Sequence, residues 1–155
     1  VTAVKPGGFV PVVHAATKTR PDEIDTLVAA EAVAGALATL GFSTEIIPVD
    51  LNVRDFEALQ RQHPLLVFNL VDAVRGDGRL APVIPSLMDA LGLRYTGAHS
   101  DAWLETLSKV ATKVKLQREG LPTPDFSIDE SGFDPDAPVI VKSAWEHGSL
   151  GLDGS

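Results

Sequence analysis

Residues Leu65–Leu70 read LLVFNL, an essentially continuous apolar run. A strand with one face in water alternates apolar and polar residues, so an unbroken run marks a strand covered on both faces. Strands of that kind belong to parallel sheets, whose crossover connections lay helices over the faces. The sequence on either side supplies the crossovers. Phe9–His14 (FVPVVH) reads as a strand, with Pro11 favouring an edge or a bulge. Asp22–Leu40 reads as a helix, because Leu27, Ala30, Ala34, Leu37 and Leu40 recur every three or four residues and Gly41 supplies a stop. Ser43–Val49 is a second strand and Val53–Gln62 a second, polar helix. After the loop DAVRGDGR comes a helix at Ile84–Leu91, ended by Gly92, and a short strand at Leu93–Thr96. Alternating strands and helices predict an α/β fold with a parallel sheet.

Residues 1–97 then make a first, roughly complete α/β domain, and residues 98–155 begin a second that is incomplete. The second part opens with a helix predicted over Asp101–Gln117, with Leu104, Leu107, Val110 and Val114 on its inner stripe. The stretch REGLPTPDFSIDESGFDPDAP is loop by composition, with one short strand expected around Phe126–Ile128. Val139–Lys142 (VIVK) opens a further β element with no partner after it.

Composition narrows the function classes. The 155 residues carry a formal charge of −8, which opposes sequence-independent nucleic-acid binding, since that needs a basic face. Cysteine is absent, which removes disulfide scaffolds, thiolate metal sites and cysteine nucleophiles. No apolar run approaches the roughly eighteen residues of a membrane span. The opening VTAVKPGGFVPVV lacks a signal peptide's long apolar region, and a start on Val1 suggests trimming. A cytoplasmic protein is the expectation, with no nucleic-acid or membrane partner.

Few residues carry chemistry on their own. Lys142 ends an apolar strand-like run and is followed by Gly148, Ser149 and Gly151. Glycines let backbone N–H groups approach phosphate oxygens, and a lysine adds a point charge. A strand-end lysine above a flexible loop fits the same residues, and the loop matches neither the P-loop nor the dinucleotide fingerprint. Lys109 and Lys113 lie four apart on one helix and project in similar directions, towards a phosphate or as a solvated flank. Asp22, Glu23 and Asp25 crowd the first turn of the first helix, where the macrodipole favours carboxylates and Asp22 would cap. The alternative role is to meet a substrate ammonium at the carboxyl edge of the sheet. His14, His63, His99 and His147 lack metal-ligand spacing. Gly76-Asp77-Gly78 is a turn by composition, and no GxSxG elbow occurs.

Four stretches in order, DEIDTLVAAEAVAGALATLGF, ALGLRYTGAHSDA, TLSKVATKVKLQREGLPTP and PVIVKSAWEHGSLGL, resemble the D-alanine–D-alanine ligase family of ATP-grasp enzymes. The resemblance runs from about Asp22 to the end. It implies a parallel-sheet, Rossmann-like preATP-grasp domain followed by the start of an ATP-grasp domain. It also implies ATP and Mg²⁺ as cofactors, with the metal ligands beyond residue 155. Lys109 and Lys142 match the family's two phosphate-contacting lysines. Glu146, His147, Gly148, Ser149, Leu150 and Gly151 match the loop that folds over the phosphates. Asp22 or Glu23 falls where the family places the acid that meets the first substrate's amine. The activity implied is ATP-dependent ligation of amino-acid-like small molecules through an acyl phosphate, in a protein that is often a homodimer. These residues alone are not expected to turn over substrate.

Four positions depart from the family's usual residues. Gly148 stands in place of a serine, Asn69-Leu70 in place of a His-Gly pair, and Ser108 in place of an aspartate. Some relatives join other acids and amines. The alternative function is a noncatalytic α/β ligand-binding or regulatory domain. A flavodoxin-like receiver or cofactor domain would need acidic residues at the ends of the first and third strands, where Val13-His14 and Asn69-Leu70 stand.

Overall fold

The computed structural model describes residues 7–16, 21–129, 132, 136 and 138–145, with the backbone alone at 21–24. They fall into two compact units, Val1–Ser100 and Asp101–Ser155. The first contains β1 (Val12–Ala15), α1 (Pro21–Thr39), β2 (Ile46–Val49), α2 (Val53–Arg61), β3 (Phe68–Asn69), a 3-10 turn at Gly78–Leu80 and α3 (Val83–Ala90). The sheet has the order β2-β1-β3 and both pairings are parallel, with Val12 opposite Ile46 on one side and Phe68 on the other. This is an α/β fold with a small, open, Rossmann-like parallel sheet. Among the described residues no helix is long and apolar enough to cross a membrane.

The most buried strand is β1 and not the Leu65–Leu70 run. Val12 and Val13 are fully buried, whereas Phe68 and Asn69 of β3 are half-buried. Position explains the difference. The β1 strand is paired on both edges, while beyond β3 the sheet continues, among the described residues, as a single parallel bridge between Val67 and Tyr95. Two hydrogen bonds make that bridge, from the N–H of Val67 to Arg94 O (2.7 Å) and from Thr96 N–H to Val67 O (3.0 Å). The strand expected at Leu93–Thr96 is reduced to this contact. Pro11 explains why β3 is short. Its carbonyl accepts from the N–H of Phe68 at 2.8 Å, but it has no N–H to return, so the ladder begins one residue later.

The helices end where glycine permits. After α1, Gly41 (φ +85°) donates to Ala38 O and Phe42 donates to Leu37 O. After α3, Gly92 (φ +65°) donates to Asp89 O and Leu93 to Met88 O. Both are the paired closure that satisfies the last helical carbonyls through a left-handed residue. The amphipathic α2 is capped by Asn52, whose side chain accepts from the N–H of Arg54 at 3.2 Å, and it buries Phe56 and Leu59. Gln60 Nε2 donates to Leu91 O at 2.6 Å, tying α2 to the end of α3. The core gathers Val13, Val49, Phe56, Leu59, Val67, Val71, Val74, Ile84, Met88 and Leu93.

In the second unit the single helix expected over Asp101–Gln117 is two helices, α4 (Ser100–Thr106) and α5 (Lys109–Arg118). The break falls at Leu107 and Ser108. Ser108 is extended (φ −82°, ψ 118°) and its hydroxyl accepts from the N–H of Ala111 at 3.2 Å, so it caps α5. A serine within a helical pattern competes for backbone donors, and here the cap has won. Phe126–Ile128 forms no strand, and neither does Val139–Lys142. Val139, Ile140 and Val141 are 52, 82 and 74% exposed, so the apolar run lies open and without a ladder partner among the described residues.

Candidate functional site

Polar groups gather at two places in the first unit and one in the second. The first place is the carboxyl edge of the sheet, where open α/β sheets bind ligands. The chain passes from β1 to β2 on one side and then to β3 on the other, so the strand order reverses between β1 and β3. Asp22 and Glu23 belong to the first turn of α1, which follows β1 at this edge. Their side chains lie outside the described residues.

Asp50 follows β2 directly, and Arg75 lies in the loop after β3. The arginine holds the carboxylate through one edge of its guanidinium: Nε is 3.0 and 3.1 Å from the two oxygens and one terminal nitrogen 2.9 Å from Oδ2. Asp50 Oδ1 also accepts from Leu51 N–H at 2.8 Å. Hydrogen bonding and charge from Asp50 raise the Arg75 pKa. Arg75 (φ +55°) and Gly76 (φ +75°) are the central residues of a tight turn closed by Val74 and Asp77, whose N–H groups each reach the other's carbonyl. Two positive φ values make this a type I′ turn. The turn expected at Gly76–Gly78 lies earlier, centred on Arg75 and Gly76, and Gly78 opens the 3-10 turn. Asp77 caps the 3-10 turn and holds Arg79, whose hydrogen bonds keep its carboxyl below the usual range.

A second cluster at the end of this unit escaped sequence reasoning. Asp89 Oδ1 accepts from Tyr95 OH at 2.7 Å and lies 3.2 Å from His99 Nδ1, and Oδ2 accepts from Ser100 Oγ at 2.7 Å. Donors converging on one carboxylate, led by the hydroxyl of Ser100 and then that of Tyr95, lower its pKa to about 2. No periodicity announces this group, because its members come from α3, a bridge, an irregular segment and the first residue of α4. The surviving signal is four hydrogen-bonding side chains within twelve residues of sequence, Asp89 to Ser100.

In the second unit Lys109 is the first residue of α5, half-buried, and its N–H donates to Ala144 O at 2.9 Å. That bond fastens the segment carrying Lys142 to the start of the helix carrying Lys109. Lys142 itself is exposed. Lys113, one turn on, is half-buried and engaged by its own chain. Its Nζ donates to Thr123 Oγ1 (3.0 Å) and Pro124 O (2.8 Å) and lies 5.3 Å from the centre of the Phe126 ring. It is a tether for the chain leaving α5. Glu146, His147, Gly148, Ser149, Leu150 and Gly151 lie outside the described residues. No three His, Asp or Glu residues gather as metal ligands among the described residues.

An open parallel sheet followed by a lysine-headed helix defines the class, a Rossmann-like α/β chain with a second compact unit. Sequence comparison carries this further, although no family model matches the chain. It is 33% identical over 79% of its length to the uncharacterized protein y4sG of Sinorhizobium fredii, covering 39% of that protein. It is 37% identical over 65% of its length to a D-alanine–D-alanine ligase of Moorella thermoacetica, covering 31% of it. To the D-alanine–D-alanine ligase of Desulforudis audaxviator it is 30% identical over 82% of its length, covering 43%. The chain therefore spans less than half the length of these relatives, and it is D-alanine–D-alanine ligase-like.

Proposed function

We propose that this chain is the N-terminal part of an ATP-dependent carboxylate–amine ligase, with the preATP-grasp domain in the first unit and the beginning of the ATP-grasp domain in the second. Bound with Mg²⁺, ATP would pass its terminal phosphoryl group to a carboxylate, leaving ADP, and an amine would displace phosphate from the resulting acyl phosphate. Positioning and charge stabilisation are what the protein contributes to such chemistry. Lys109 and Lys142 would neutralise phosphate charge. The backbone N–H groups of Glu146–Gly151 would close over the terminal phosphates, and Asp22 or Glu23 would hold the ammonium of an amino-acid-like substrate. The Mg²⁺ ligands are expected outside these 155 residues, the protein in the cytoplasm, and the working form is expected to be a homodimer.

The observation that carries this reading is the hydrogen bond from Lys109 N–H to Ala144 O, which draws two separately coded lysine segments together in one unit. The ligase names of the relatives support it. The test is calorimetric titration of the complete protein with MgATP. Lys142→Ala is expected to weaken binding by about tenfold to a hundredfold, the worth of a charged hydrogen bond. Because Lys142 is exposed, the melting of the first unit should not change. Unaltered ATP affinity in the variant would remove Lys142 from the site.

A further inference from the structure

The Asp50–Arg75 pair joins the chain beyond β2 to the chain beyond β3, the two neighbours of the central strand, at the carboxyl edge of the sheet. As a plain surface ion pair it is hard to account for. Its side chains are 63 and 36% exposed, and exposed pairs add little to stability. Against that small gain stands a conformational cost. Arg75 occupies the first central position of a type I′ turn at φ +55°, where Asn, Asp or Gly sits without strain. Residues held in sparsely populated backbone regions collect at ligand clamps. What the turn achieves is to aim a guanidinium fork across the edge where open α/β sheets take their ligands.

We infer that Arg75 is a carboxylate-recognition residue whose fork Asp50 occupies until a small ligand carboxylate replaces it. The pair already shows the guanidinium engaging a carboxylate at two points: Nε donates to both oxygens, at 3.0 and 3.1 Å, and the terminal nitrogen donates to Oδ2 at 2.9 Å. Asp50 is suited to release the fork, because Leu51 N–H at 2.8 Å continues to hold its Oδ1. Lysine would not serve equally, since a point charge lacks the planar two-point match. This subsite deepens the ligase reading by giving an amino-acid-like substrate a carboxylate anchor in the first unit. It is tested without ATP, so either reading can fail alone.

The experiment follows the Arg75 Nε–H and Gly76 amide resonances during titration of the protein with propionate, with propionamide as the neutral control. Both resonances are expected to move with propionate only. Asp50→Asn removes the internal competitor and is expected to tighten propionate binding about two- to fivefold, the equivalent of an exposed ion pair. Arg75→Lys should leave the Gly76 amide unmoved by propionate. Dispersed amide spectra of both variants separate these results from loss of fold. A stationary Arg75 resonance, equal shifts with propionamide, or no gain in Asp50→Asn would each overturn the assignment.

Discussion

The two units obey the same local rules and reach different ends. In the first, every strand finds a neighbour and a core forms around Phe56, Ile84 and Met88, all fully buried. In the second, α5 is capped, terminated and tethered, yet the apolar residues stay outside: Leu104 is 66% exposed, Ile128 78% and Ile140 82%. Only Leu107 and Ser108 are buried there among the described residues. Local signals such as a serine cap are satisfied within a few residues. Burial is collective, and a strand-like run gains nothing from its hydrophobicity until another strand or helix covers it. A well-formed helix is therefore weaker grounds for a finished domain than a buried valine.

The sharpest way to break this contrast is to delete side chains. Phe56→Ala empties a fully buried site and should cost the first unit about 3–5 kcal/mol in urea unfolding. Ile140→Ala should change stability by less than about 0.5 kcal/mol, because 82% of Ile140 is already in water. A large loss in Ile140→Ala would mean that the run is covered in solution, and the two units would then be alike.

The same contrast explains what was legible in the sequence. The α/β order, the stops at Gly41 and Gly92 and the polar α2 could be read because each is written in adjacent residues. The depth of burial could not. Pro11 points to an edge for the FVPVVH strand and LLVFNL to full cover, yet the 2-1-3 order puts β1 at the centre, starting just past Pro11, and β3 near an edge. Strand order is a property of the whole sheet, and no window of sequence contains it. Of the candidate site, the lysines were legible as residue types, but not that Lys142 lies outside any strand or that Lys109 heads a helix of its own. Lys113 could be told from Lys109 only by what its Nζ touches, Thr123 and Pro124 across the helix end. The Asp89 cluster and the Arg75 fork remained hidden because their members meet through tertiary structure alone.

A smaller effect sharpens the comparison inside the second unit. The start of α5 relies on Ser108, whose hydroxyl serves Ala111 N–H at 3.2 Å. Ser108→Ala should destabilise that helix by about 1 kcal/mol, as lost N-caps do. The change should appear as faster amide hydrogen exchange in residues 109–113, with the protection of β1 unaltered. If β1 also loses protection, the two units unfold together and their separate treatment fails.

The smallest effect belongs to Asp89, and its sign is fixed by the direction of its shift. Its carboxyl titrates at about 2 in the folded protein, led by the hydrogen bonds from Ser100 and Tyr95, against roughly 3.9 in an unfolded chain. A depressed carboxylate adds stability that is fully present above pH of about 4 and is lost progressively as the pH falls towards about 2. The gain is modest, since a third of the side chain is in water. Asp89→Asn keeps the shape but places an amide donor beside the donors Ser100 and Tyr95. The urea midpoint of the variant should therefore lie below that of the parent at pH 6, and the gap should close between pH 4 and pH 2. A gap that stays constant across that range would show that Asp89 acts by shape and not by charge. The segment from Tyr95 to Ser100 would then be held to the end of α3 by packing, like the rest of the first unit's core.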